Sequence, residues 1–382
     1  MTDFSFAALR RRPDVEAPNL LAADAADRLI LDQAAVALAG VAGDSGRVAV
    51  IGDNYGALTL GAAALHAGRG IRTHQDALNG ERALAMNATQ SGLDGAYRSL
   101  PLVPELVDSA RVVLMRLPRS LAALDEAAAL IARHAAPDVT VYAGGMLKHM
   151  TRAMNDTLGR HFTHVRAGLA RQKARVLEAS GPAAASPEAP GAGFASEFHD
   201  DLGLWICARG GAFAGTRVDI GTRFLLGFLD GAGPSAASAV DLGCGTGALA
   251  AALAKARPDI RVVATDQSAA AVASAEETMR ANGVSDRVRV LRDDGGGTLP
   301  EASADLVLLN PPFHIGASVH AGAGLALIEG AARLLAPGGE LWTVFNSHLG
   351  YQQALRRLVG PTRQVGRNAK FTVTASVRST GG

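Results

Sequence analysis

At 382 residues the chain has room for two domains of ordinary size, each able to bury its own core. A composition of 48% hydrophobic and 19% charged residues excludes a disordered chain, and a net charge of +1 excludes a globally cationic polymer binder, so a polyanion must be met by a local patch. The two cysteines, Cys207 and Cys244, provide neither a disulfide framework nor a zinc cluster, and no metal is expected.

In chain order, the segment from Met1 to Asn19 is charged and broken by Pro13 and Pro18, without the apolar core of a secretory signal. No later apolar run approaches membrane-spanning length, so a cytoplasmic protein is expected. Arg10-Arg-Arg12 reads as a solvated terminus. Val48-Ala-Val-Ile-Gly-Asp-Asn-Tyr-Gly-Ala-Leu58 carries an apolar run, two glycines and the start of an Ala/Leu-rich stretch. Further on comes a basic stretch poor in acids, with Lys148, Arg152, Arg160, Arg166, Arg171, Lys173 and Arg175, and with His149, His161 and His164 among them. It suits either a phosphate backbone or a solvated helix face plus an edge strand. Lys148, Arg152, Arg171, Lys173 and Arg175 are the candidates for contact with a nucleic-acid backbone. Ala179-Ser-Gly-Pro-Ala-Ala-Ala-Ser-Pro-Glu-Ala-Pro-Gly-Ala-Gly193 is a linker by composition. The expected organisation is a domain over 1–178, a linker over 179–197 and a second domain over 198–382.

The second half opens its chemistry at Asp241-Leu-Gly-Cys-Gly-Thr-Gly247. Ala239-Val240 ends an apolar run and Ala248 to Ala256 reads as a helix, so the order is strand, tight turn, helix. Gly243, Gly245 and Gly247 lack a Cβ, which frees the turn's dihedrals and lets a ligand approach the backbone. The helix then points its free N–H groups at that ligand. A second strand, Ile260 to Ala264, leads to Asp266, whose carboxylate can accept hydrogen bonds from both hydroxyls of a ribose, with Gln267 beside it as a further cofactor contact. The glycine spacing departs from the dinucleotide fingerprint, which disfavours a nicotinamide cofactor.

Asp305-Leu-Val-Leu-Leu309 is a continuous apolar run, as in a buried parallel strand, and Asn310-Pro-Pro-Phe313 follows at its carboxyl end, where open α/β sheets bind ligands. An amine on an aromatic ring is a poor nucleophile because its lone pair is delocalised. Hydrogen bonds from that amine to the Asn310 carboxamide and the Pro311 carbonyl would orient it and favour a pyramidal nitrogen. Pro311 and Pro312 hold those acceptors rigidly, and Phe313 offers a face for a base to stack on. No proton need leave before attack, so alignment and exclusion of water carry the catalysis. Cradle and amine site together read as methyl transfer from S-adenosylmethionine to nitrogen. Of the histidines, His314 beside Phe313 is the one to test, with a supporting role expected.

The chain also repeats itself. With Val48 laid over Ala239, Gly52, Gly56, Ala57 and Leu58 coincide with Gly243, Gly247, Ala248 and Leu249, and Gln75 falls on Asp266. Ser109 to Pro118 overlays Ser303 to Pro312 at a slightly different shift. Two copies of one fold are the simplest explanation. The first copy has Val50 for Asp241, Asp53 and Asn54 for Cys244 and Gly245, Gln75 for the ribose acid and Arg116-Leu-Pro for Asn-Pro-Pro. It should fold like an enzyme without being one.

These residues resemble the tandem-domain bacterial ribosomal RNA guanine-N2 methyltransferases, in which a degenerate methyltransferase-like domain precedes an active one. The resemblance rests on Phe213-Ala-Gly-Thr-Arg-Val-Asp-Ile-Gly-Thr-Arg-Phe-Leu-Leu226, Asp241 to Gly247, Asn310-Pro-Pro-Phe-His314 and Gly338-Gly-Glu-Leu-Trp342. Leu117-Pro-Arg-Ser120, Ala170-Arg-Gln-Lys-Ala-Arg175, Asn346-Ser-His-Leu-Gly-Tyr351 and Asn368-Ala-Lys-Phe371 are closer to the large-subunit enzymes. It implies an α/β chain of two Rossmann-like class I methyltransferase domains, S-adenosylmethionine as cofactor, and ribosomal RNA or a ribosomal subunit as partner. It also implies a segment from Phe213 to Asp219 that folds over the ligand, and an adenine contact at Asp293. Arg292-Asp-Asp294 departs from the family's Asn-Asp at that strand end, so Asp294 is the alternative to Asp293, and Gly295-Gly-Gly297 after it is unusual. The same Asn-Pro-Pro-aromatic geometry serves adenine N6 and protein glutamine methylation. A non-catalytic ribosome-assembly factor that kept the fold for binding is the rival of a different class.

Overall fold

The computed structural model describes residues 4–183, 193–312 and 321–379. It divides into two compact units, Met1–Gly193 and Phe194–Gly382. In the first, β1 (Val48–Ile51), β2 (Ile71–His74), β3 (Tyr97–Ser99), β4 (Val112–Arg116), β5 (Thr140–Met146), β6 (Phe162–Ala167) and β7 (Ala174–Pro182) form one sheet in the order β3-β2-β1-β4-β5-β7-β6. Helices α1 (Ala25–Ala39), α2 (Ala57–His66), α3 (Leu78–Ser91), α4 (Pro104–Val107), α5 (Leu121–His134) and α6 (Arg152–Gly159) connect and cover it. Every strand pair is parallel except those that β7 makes with β5 and β6.

The central strands read as unbroken apolar runs because both of their faces are covered. Ala49 and Ile51 join the Leu124 and Ile131 side of α5 in one core, while Val48 and Val50 join Ile30 of α1 and Leu58 of α2 in the other.

The second unit repeats the plan. After a hairpin of β8 (Ala195–His199) and β9 (Leu204–Ala208) come α7 (Ile220–Leu226), β10 (Ser238–Leu242), α8 (Ala248–Ala256), β11 (Arg261–Asp266), α9 (Ala269–Ala281) and β12 (Val288–Arg292). Then follow β13 (Ala304–Leu309), α10 (Ala321–Leu334), β14 (Leu335–Asn346), α11 (Gln352–Leu358), β15 (Thr362–Arg367) and β16 (Phe371–Val377). The sheet order, β12-β11-β10-β13-β14-β16-β15, matches the first strand for strand, with β16 again antiparallel to its neighbours. The overlaid glycines share backbone shape as well: φ is +76° at Gly52 and +74° at Gly243, +99° at Gly56 and +81° at Gly247. The fold is α/β with two tandem Rossmann-like sheets, as the repeat required.

Two local expectations change. The stretch expected to be linker from residue 179 instead continues β7 through Pro182, with Thr140 opposite Ser180 and Phe162 opposite Pro182, and β8 already begins at Ala195. Ladder partners on both sides outweigh the turn-like composition, and Pro182 ends the strand, where a missing N–H is tolerated. Arg11 is not a solvated end: it pairs with Asp14 at 2.9 Å and lies over the Tyr55 ring.

Gly247 shows why glycine is needed at the entry to α8. It caps that helix in the left-handed region, and a Cβ there would lie 3.1 Å from the Ala275 Cβ and 2.6 Å from the Met279 Cε of α9. Gly247→Ala is therefore expected to destabilise the second unit by roughly 1–2 kcal/mol. That corresponds to a fall of a few degrees in the midpoint of a thermal melt without ligand. Both tryptophans, Trp205 and Trp342, lie in this unit, so their fluorescence reports its unfolding.

Candidate active site

Strand order reverses between β10 and β13, so the connections leaving them diverge and open a crevice at their carboxyl ends. Asp241 sits opposite Leu308 and Leu242 opposite Leu309, which brings the glycine loop and Asn310 side by side. The loop is anchored from below: Gly243 and Cys244 donate to the Thr265 carbonyl at 2.8 and 2.9 Å, and Gly247 donates to the Cys244 carbonyl at 2.8 Å. Gly245 N–H donates to Asp266 Oδ2 at 3.0 Å, while Ser268 N–H donates to Asp266 Oδ1 at 2.9 Å. Asp266 is thus locked at the end of β11 by two backbone donors. Above the loop, a Cβ built on Gly243 or Gly245 meets nothing within 4 Å, so these glycines border open space that suits a ligand.

Asp241 is 1% exposed, and its Oδ2 accepts the Ala250 N–H of α8 at 3.0 Å. Burial pushes its carboxyl up to about 7; the helix N–H works against this, and the charge of Asp266 adds to it. The group shapes the loop from beneath. Asp293 lies just beyond β12, 2% exposed, with its N–H on the Asp266 carbonyl at 2.9 Å and its Oδ2 accepting the Thr298 N–H at 3.3 Å. Its Oδ1 is buried and has no partner among the described residues. Asp294 beside it is half-buried. Gln267 is exposed, and its carbonyl accepts from Arg292 Nε at 3.4 Å.

Asn310 is the first residue past β13. Its Nδ2 donates to Asp219 Oδ2 at 3.0 Å and to Thr222 Oγ1 at 2.9 Å. A carboxylate only accepts, so the amide nitrogen must face it, and Oδ1 must face the other way. That Oδ1 is buried without a partner among the described residues. Asp219 caps α7 with the same carboxylate, through Gly221 N–H at 2.9 Å and Thr222 N–H at 3.2 Å. Gly221 lets the helix approach, since a Cβ there would stand 3.0 Å from Asp219 Oδ2 and 3.3 Å from Asn310 Oδ1. Pro311 is buried and Pro312 exposed, while Phe313 and His314 lie outside the described residues. Phe213, expected in the segment over the ligand, is 76% exposed. Gly221 and Thr222 entered the sequence reading only within the Phe213 to Leu226 run, with no role assigned; Asp219 before a helical run is a legible cap, but its partner just past β13 is not.

A methyltransferase small domain model matches residues 203–375, and an RLMG N-terminal domain model matches residues 1–183. Proteins named ribosomal RNA large subunit methyltransferase G, from Streptomyces coelicolor and Pseudomonas aeruginosa, are each 36% identical to this chain, with 97% of both partners covered. The chain belongs to the ribosomal RNA large subunit methyltransferase G family. A solved T. thermophilus 16S rRNA N2 methyltransferase in complex with AdoMet and guanosine shares its fold, with a TM-score of 0.72, 22% identity, and 95% of this chain and 97% of that chain covered.

In the first unit, which matches the family's amino-terminal domain, the loop equivalent to the glycine cradle is tied by its own side chains. Asp53 Oδ2 accepts the Thr59 N–H at 2.8 Å, the helix contact that Asp241 makes to Ala250, and its Oδ1 accepts the Gly56 N–H at 3.1 Å. The Gln75 amide donates to the Asp53 carbonyl and, at 3.1 Å, to the Asn54 carbonyl. Arg116, in the place of Asn310, donates to Asp24 at 2.6 Å and Asp27 at 3.0 Å.

The basic stretch sorts into two groups. Arg160 pairs with Asp125 at 2.9 Å, Arg166 with Glu178 at 3.0 Å and Arg171 with Asp32 at 3.0 Å. Lys148, Arg152, Lys173 and Arg175 pair with no acid among the described residues. No three His, Cys, Asp or Glu side chains among the described residues converge as metal ligands, and no described helix is long and apolar enough to cross a membrane.

Asp241 makes stability depend on pH in a defined sense. Below pH 3.8 the carboxyl is protonated in both states; between 3.8 and about 7 the unfolded chain ionises first, so the contribution falls and is lost as pH rises through the folded value. Asp241→Asn removes this term. Its stability advantage over the native chain, read by tryptophan fluorescence in urea, should grow from pH 4 to 7 and then level off. An advantage independent of pH would show that the folded carboxyl titrates normally.

Proposed function

We propose that this chain transfers a methyl group from S-adenosylmethionine to the exocyclic N2 amine of a guanine in large-subunit ribosomal RNA. The family, and relatives at 36% identity over nearly the whole chain that bear that name, support the substrate class. The buried, unpartnered Asn310 Oδ1 carries the chemistry. It is an acceptor held ready for an N–H donor, because Asp219 and Thr222 have already taken the amide nitrogen.

Bound in the cradle, S-adenosylmethionine supplies an electrophilic methyl on a sulfonium. Asp266 accepts from the ribose hydroxyls, Asp293 Oδ1 accepts from the adenine amine, and the open faces of Gly243 and Gly245 leave room for the rest. Asn310 Oδ1 and the Pro311 carbonyl accept the two N–H groups of the guanine amine. Two acceptors at fixed angles draw the nitrogen out of conjugation and aim its lone pair across the crevice. Phe313 stacks on the base, and no side chain need act as a base before attack. The substrate is RNA, either free or within a ribosomal subunit, gripped by the first unit.

Asn310→Ala should lower methyl transfer by roughly 10²-fold or more while leaving cofactor affinity by calorimetry unchanged. Full activity in that variant would remove Asn310 from the chemistry. Asp219→Asn, which offers the Asn310 amide either an oxygen or an NH2 group, should lower kcat more than it raises KM, because the amide is then free to turn over. Mass-spectrometric mapping of ribosomal RNA with the gene present and deleted should show one N2-methylguanine lost from the large-subunit RNA. Loss of an N6-methyladenine, or an unchanged map, overturns the reading.

A further inference from the structure

In the first unit a cleft of about 450 Å³ opens between α6 and the hairpin of β6 and β7, within the ~300–1,000 Å³ range of small-molecule sites. Its lining is two-sided: Leu147, Met150 and Leu177 are apolar, while Arg152, Asn155 and Arg175 are polar. The Arg175 Nε is buried with no hydrogen-bond partner among the described residues, although a guanidinium N–H out of water is costly to leave unpaired. Arg152 and Asp156 are one helical turn apart and both line the cleft, yet they form no ion pair. The N-cap Thr151 also lines it and gives α6 no side-chain cap, so the helix opens on the cleft with amide groups to donate.

The surroundings reinforce one sign of charge. Leu147 N–H donates to the Lys173 carbonyl at 2.8 Å, tying the segment that carries Lys148 to the turn at Gln172 and Lys173. That turn holds two non-glycine residues in the left-handed region, at φ +49° and +63°. Slight burial and the charges of Arg119, Lys148 and Arg116 push His149 below its ordinary value. The arginines elsewhere on this stretch are neutralised by acids; those at the cleft are not.

Resting on the methyltransferase reading above, we propose that this cleft takes one nucleotide of the RNA substrate, away from the guanine that is methylated. The phosphodiester sits between Arg175, Arg152 and the first amides of α6, and the base lies against Leu147, Met150 and Leu177. Asp156 faces the base as an acceptor for an exocyclic amine. Arg175 suits this role because its fork can bind a phosphate through two parallel hydrogen bonds.

The test is an anisotropy titration of the full chain with a short 5′-labelled single-stranded RNA, without cofactor, over a series of salt concentrations. Arg152→Gln and Arg175→Gln should each weaken binding several-fold and reduce the salt slope by about 0.7 per lost phosphate contact. Arg175→Lys should fall between Arg175→Gln and the native chain. Arg160→Gln, whose arginine is spent on Asp125, should bind like the native chain. Arg152 is exposed, so its replacement leaves the fold intact. Unchanged affinity and slope in Arg152→Gln overturn the proposal, as does an equal loss in Arg160→Gln, which would mark mere net charge. Calorimetry with S-adenosylmethionine separates the two readings: a chain that binds cofactor and methylates RNA but ignores Arg152 and Arg175 loses only the cleft. One that loses RNA affinity in these variants yet leaves the modification map unchanged on gene deletion loses only the methyltransferase reading.

Discussion

In each unit a carboxylate at a helix cap holds the residue at the end of the sheet's fourth strand in sequence, and the chemistry depends on what that residue is. Asp219 caps α7 and holds Asn310; Asp24 caps α1 and holds Arg116. Against an amide, one carboxylate and one hydroxyl consume the nitrogen and leave a buried oxygen without a partner among the described residues. Against a guanidinium the same carboxylate closes an ion pair, with Asp27 as a second acid, and no acceptor is left over. One tie thus yields an amine receptor in the second unit and a structural staple in the first.

The glycine loops diverge by similar logic. Both copies need an acceptor for the early N–H groups of the helix after the first strand of the sheet, because a helix start leaves them unsatisfied. The second unit draws it from Asp241 on the strand, keeping the loop itself bare. The first draws it from Asp53 within the loop, and the Gln75 amide then binds the loop carbonyls. The side chain that replaces the strand acid is buried and engages both of its oxygens with N–H groups of the loop and helix. Moving the carboxylate from the strand into the loop thus keeps the helix start satisfied while the loop is tied by its own side chains.

Charge follows a local rule, not a global one. A net charge of +1 would draw little RNA by itself. The first unit neutralises Arg160, Arg166 and Arg171 with acids and leaves Lys148, Arg152, Lys173 and Arg175 without them. Attraction is thereby concentrated near one cleft, and long-range repulsion within the chain stays small.

Much of this was legible along the chain. The span of α8, the positive φ at Gly243 and Gly247, the apolar β13 and the duplication all follow from periodicity, glycine placement and matching strand order, which are local properties of neighbouring residues. So was the position of Asn310 at the end of a buried strand. The direction of its amide was not, because that is decided by Asp219 and Thr222, far away in sequence and brought near by the packing of α7. Nor could composition tell Arg171 from Arg175, or end β7 at Pro182, since ion pairs and ladder partners come from elements distant in the chain. Sequence by itself determined which groups are present and on which elements they lie; tertiary structure decided which of their donors and acceptors are already satisfied, because a hydrogen bond depends on distance in space and not along the chain.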